Sequence, residues 1–123
     1  MSKYYTSYFA NIKKLPKDVV PVAICGKAPE GYTGLQYKKL APSWDIYRDW
    51  KYNHHDKVIY TDRFYREILD KLDQLTVEQE LLNRTEGKPF CLICYEKPQD
   101  FCHRHLVADW MKSIGINIEE YMV

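Results

Sequence analysis

Three of the four cysteines and two of the four histidines fall between Phe90 and Trp110, in FCLICYEKPQDFCHRHLVADW. Thiols, imidazoles and acids at this density offer metal, nucleophilic and acid–base chemistry, and each needs a different geometry. As a metal set, Cys91, Cys94, Cys102 and His105 spell C-x2-C-x7-C-x2-H. In a zinc knuckle the first pair sits on a tight turn. Here Leu92 and Ile93 continue an apolar run, and residues three apart on a strand point to opposite faces. The sulfurs of Cys91 and Cys94 should therefore diverge, so no metal and no cofactor are assigned. A partial set of Cys94, Cys102 and His105 ranks below the metal-free reading.

As a catalytic set, Cys102 opens a helix, where the macrodipole and free N–H groups favour a thiolate. His103 and Glu96 then stand near as general acid or base. The structural alternative is that Cys102 caps the helix or packs beneath it. As an anion set, the same helix N-terminus joins Arg104, a bidentate donor, and Lys27, which reaches in from a glycine-rich loop. Arg104 has its own structural alternative, an ion pair with Glu96 or Asp100.

These groups need elements to hold them. Phe90 to Tyr95 reads as a buried strand, and Leu106, Val107, Trp110 and Met111 give the following segment a helical spacing. Lys3 to Ala10 is rich in Tyr, Thr and Phe, and Val19 to Cys25 is short and β-branched; both read as strands. Gly26 to Gly34 is a loop. Ser43 is an N-cap leading to Trp44, Tyr47, Arg48 and Lys51, with the two tryptophans Trp44 and Trp110 read as helix packing. Residues 57–72 form the strongest amphipathic helix, through Tyr60, Phe64, Ile68 and Leu72. Another helix starts at Thr76, in capping-box spacing with Gln79, and ends at Gly87. A last short strand covers Ile116 to Tyr121. Strands alternating with helices predict one α/β domain over residues 1–123, a three-layer arrangement with a short, mostly parallel sheet of about four strands.

The chain has 123 residues and is 46% hydrophobic, enough for a core without disulfides. Cys91 and Cys94 sit inside one apolar strand and Cys25 ends another, so the cysteines are expected as buried, reduced thiols. No apolar run approaches the roughly 20 residues of a membrane span, and no leader pattern follows Met1, so a cytoplasmic location is expected. The net charge of +1 argues against nucleic acid as a partner, although Lys13, Lys14, Lys17, Lys27, Lys38 and Lys39 cluster in the first half. Eleven tyrosines suit stacking on a base or sugar as well as a core. His54 and His55 receive no role.

YTSYFA near the start, KKLAPSW in the middle and CYEKPQDFCHRHLVADW near the end resemble the bacterial family known as domain of unknown function 488, in order and over nearly the whole chain. The resemblance implies a compact α/β domain of intracellular bacterial or phage origin and supplies no reaction. The expected pocket lies at the carboxyl ends of the first three strands, lined by Tyr8, Cys25, Lys27, Cys94, Glu96, Cys102, His103 and Arg104. Its expected use is to bind a phosphorylated, nucleotide-like ligand, in a phage member by sequestering a nucleotide signal. Tyr8, Lys27, Cys94 and Arg104 would be the binding residues. The alternative is an enzyme acting on nucleotides or nucleic-acid components, with Cys102 as nucleophile and Glu96 or His103 as acid or base. A third use, as a protein-interaction domain, leaves the motif purely structural.

Overall fold

Every residue of Phe90–Cys94 is buried, which a strand achieves only when both its edges and both its faces are covered. In a computed structural model, which describes residues 3–122, this segment is β4 at the centre of a five-stranded sheet. The other strands are β1 (Tyr4–Tyr8), β2 (Val20–Ala23), β3 (Leu35–Gln36) and β5 (Ile118–Glu120), in the order β3-β2-β4-β1-β5. All pairs are parallel: Tyr5 lies opposite Cys91, and Val20 opposite Phe90. The α/β class with a parallel sheet is therefore as the sequence predicts. The additional strand, β3, is two residues long and follows the glycine-rich loop. That is too short for any alternation to signal it.

Parallel strands need crossovers, and the α-helices supply those from β3 to β4 and from β4 to β5. They are α1 (Trp44–Arg48), α2 (Lys57–Glu67), α3 (Gln74–Arg84) and α4 (His103–Lys112). Their inward residues, among them Ile46, Phe64, Leu81, Val107 and Met111, meet Val22, Phe90 and Leu92 of the sheet in the main core. The opposite face, with Cys91 and Ile93, is covered by Phe9, Ile12 and Leu15 on and just after a 3-10 segment, Phe9–Lys14. The third layer is therefore thin.

Helix starts follow from capping chemistry. The Ser43 hydroxyl accepts from the Ile46 amide at 3.2 Å, as the sequence leads one to expect. Helix α3 begins two residues before Thr76, because the Asp73 carboxylate takes both the Thr76 amide at 2.9 Å and its hydroxyl at 2.8 Å. A carboxylate at the cap also meets the positive end of the helix dipole. Helix α1 continues as a π turn, Asp49–Asn53, that aims Trp50 at Tyr60 and Phe101. That turn ends at His54, close to the break expected there.

Phe90 stacks on Tyr4 with centroids 4.0 Å apart, at the centre of this core. Phe90→Ala should cost about 3–5 kcal/mol, read as a shift in the urea unfolding midpoint; a loss below about 1 kcal/mol would contradict that placement.

Candidate functional site

The carboxyl ends of β2 and β4 and the start of α4 converge on one cavity of about 910 Å³. Its floor comes from three segments. Ile24-Cys25 extends β2, with the Ile24 amide donating to the Ile93 carbonyl at 3.0 Å. Cys94 ends β4, and residues 95–101 loop back to Cys102, the N-cap of α4. Cys102 takes extended φ and ψ of −153° and 143°, and its side chain makes no capping bond. Its sulfur is therefore not committed to the helix.

Four buried reduced thiols are the sequence expectation, and the structure corrects it for one pair. Cys94 and Cys102 stand in disulfide contact, while Cys25 and Cys91 are free and buried. The loop between β4 and α4 brings the strand end beside the helix cap, a proximity that no periodicity reveals. Cys91 packs on the other face with Ile93 and Val19, away from Cys94, as strand geometry requires.

His103 is the third member of this group. Its Nε2 lies 2.7 Å from the Ile24 carbonyl and its Nδ1 3.9 Å from the Cys102 sulfur. A carbonyl only accepts, so Nε2 carries the proton and Nδ1 keeps its lone pair toward the sulfur. Burial pushes the imidazole down to about 4, the Arg104 charge adds to this and the Ile24 bond opposes it. The ring is thus neutral near pH 7 and holds a lone pair out of water. His105, the histidine in the partial metal set of the sequence reading, turns instead toward Glu120, with Nδ1 3.9 Å from its carboxylate.

Arg104 does not line the cavity. It is fully buried, with Nε and Nη2 on the Glu120 carboxylate at 3.1 and 2.9 Å. Its Nη1 donates to the Glu96 carbonyl at 2.6 Å and lies 3.3 Å from the Cys94 sulfur. Tyr8 is outside the cavity as well, its ring 6.0 Å from that guanidinium. Of the residues the sequence puts in the pocket, Cys25, Lys27, Cys94, Glu96, Cys102 and His103 do line it.

The walls are largely aromatic, and most of them escape the sequence reading. Tyr60, Trp50 and Phe101 form one side through edge and tilted contacts at 5.0–5.5 Å. Trp44, read above as helix packing, is 64% exposed at the rim and stacks on Tyr47. Its spacing of three from Tyr47 places both on one helix face, which is the signal that could have found them. Tyr95 lines the cavity too and donates to the Lys27 carbonyl at 2.6 Å. Lys38 binds the Gly26 carbonyl, so two lysines, Lys27 and Lys38, border the cavity against one acid, Glu96.

An α/β chain with a cysteine–histidine group at its strand ends is the class that this geometry defines. The family model described as "Active DUF488-N3 subclade" matches residues 9–115, and the chain belongs to that DUF488-N3a family. No curated protein and no solved structure matches the chain. Among the described residues, no helix is long and apolar enough to cross a membrane.

Arg104→Ala should destabilise the fold by about 3–5 kcal/mol, because it strands the part-buried Glu120 carboxylate. Arg104→Lys, which keeps the charge and loses the fork, should cost less. Equal unfolding midpoints for Arg104→Ala and the unsubstituted chain would show that the pair does not hold the corner together.

Proposed function

We propose that the cavity binds a flat, phosphorylated, nucleotide-like ligand. The observation that carries this reading is the lining: six aromatic rings among the residues of the cavity wall, together with the lysines Lys27 and Lys38. Rings of this kind stack on a base with a contribution of about 1–3 kcal/mol. The lysines and the start of α4 offer the positive potential that a phosphate needs. Lys27 makes no ion pair among the described residues, so its ammonium is available to a ligand. Arg104 is spent on Glu120 and Glu96, which leaves the phosphate to the lysines and backbone amides. The reading includes a cytoplasmic setting in bacteria or phage-infected cells, where a small binder of this kind sequesters a nucleotide signal.

A second reading, a cysteine-dependent enzyme on the same ligand class, has one observation of its own. The His103 lone pair faces the Cys102 sulfur, which becomes the arrangement of a base beside a thiol nucleophile once the disulfide to Cys94 is reduced. The family description's word "Active" is in keeping with turnover.

Titration with nucleoside mono- and diphosphates, followed by tryptophan fluorescence, tests the first reading. Trp44 and Trp50 line the cavity, so occupancy should quench them. Lys27→Ala should weaken binding about tenfold, and Trp44→Ala by a similar factor. Cys102→Ser should leave affinity within about threefold while abolishing any thiol-dependent turnover. No quenching by any nucleotide at millimolar concentration would sink the proposal.

A further inference from the structure

The Cys94, Cys102 and His103 donor atoms all lie within 4.8 Å of one another, and all three residues are buried. We propose that the reduced chain binds one zinc ion on Cys94 Sγ, Cys102 Sγ and His103 Nδ1, with the fourth coordination position open to the cavity.

The Cys102–His103 distance fits the ion as it stands, and reduction of the Cys94–Cys102 disulfide frees the two sulfurs to separate around it. Zn–S bonds of about 2.3 Å and Zn–N bonds of about 2.0 Å at tetrahedral angles separate neighbouring donors by roughly 3.5–3.8 Å. Cys102 Sγ and His103 Nδ1 are already 3.9 Å apart. The Cα atoms of Cys94 and Cys102 are 7.6 Å apart. Disulfides usually span about 4.4–6.8 Å between Cα atoms, whereas two thiolates sharing an ion stand further apart and fill the wider span.

The surroundings fit as well. A metal-bound histidine usually gives its other ring N–H to a carbonyl or carboxylate, which fixes the tautomer. His103 does this through Nε2 to Ile24. Arg104 Nη1, 3.3 Å from Cys94 Sγ, is a charged donor to that sulfur and favours its thiolate form. Two thiolates neutralise a divalent ion, and Arg104 is itself balanced by Glu120, so the buried group carries no net charge. Two sulfurs and an imidazole without a carboxylate select zinc over magnesium or calcium.

Three protein ligands with a vacant position toward a cavity is the pattern of catalytic rather than structural zinc. Cys94, Cys102 and His103 all border the cavity, so that position faces the proposed ligand. Zinc binding does not depend on the nucleotide reading, because the metal alone is the probe. It does compete with the thiol reading, since a sulfur held by zinc is not a free nucleophile.

The full-length chain, reduced and stripped by chelator, is titrated with zinc chloride under anaerobic conditions. Metal content is measured after desalting, and alkylation by iodoacetamide is mapped by mass spectrometry. One equivalent of zinc should be retained, and it should slow alkylation of Cys94 and Cys102 at least tenfold, reversibly on chelation. Cys94→Ser, Cys102→Ser and His103→Asn should each weaken zinc binding at least about a hundredfold, while Cys91→Ser should leave it unchanged. Failure to retain stoichiometric zinc in the reduced chain overturns the proposal. So does retention by all three ligand variants, or alkylation of Cys102 at a rate that zinc leaves unaltered.

Discussion

A guanidinium with none of its surface in water sits at the corner where β4, α4 and β5 meet. Burying such a charge is tolerated only when its donors are used and a counter-ion is at hand. Arg104 satisfies both conditions: the Glu120 carboxylate takes two of its nitrogens, and the third reaches the Glu96 carbonyl and the Cys94 sulfur. Those bonds join the end of the central strand, the first turn of α4 and the last strand of the sheet. The positions of Cys94 and Cys102 relative to each other follow from that joint. So does the orientation of His103, whose ring is carried by the same helical turn and seated against Ile24.

The corner divides the molecule chemically. On the Arg104 side, charge is neutralised inside the fold. On the cavity side, the floor holds sulfur and a neutral imidazole, surrounded by aromatic walls. Low local dielectric strengthens whatever polar contact a ligand makes there. It also explains why His103 stays uncharged: burial and the neighbouring guanidinium together outweigh the Ile24 carbonyl that favours the protonated ring. A neutral ring with a bonded N–H offers its remaining lone pair to a proton or to a cation, and the thiol and zinc readings both draw on it.

Much of this was legible in the chain. The continuous apolar run Phe90–Cys94 announced a central strand, and the spacing of Leu106, Val107, Trp110 and Met111 announced the helix after it. The loop between them located the cavity floor from sequence alone. The rest was hidden for physical reasons. Arg104 looked like a ligand-binding residue, because its partner Glu120 lies 16 residues away on a strand of only three residues. The contact of Cys94 with Cys102 depends on the path of a loop, which has no periodicity to read. Trp50 and Phe101 meet only when a π turn and a loop fold against Tyr60. The choice of His103 over His105 turned on a single carbonyl, Ile24, from the neighbouring strand.

The state of the His103 ring is the measurement on which most depends. Long-range proton–nitrogen correlation spectra of the reduced, metal-free chain between pH 5.5 and 8 report it directly. The predicted result is one neutral tautomer throughout, protonated at Nε2 with an unprotonated Nδ1, in the ring signals that the His103→Asn variant lacks. An imidazolium at pH 7, or a ring protonated at Nδ1, would contradict a lone pair held toward the Cys102 sulfur and would remove the common basis of the thiol and zinc readings.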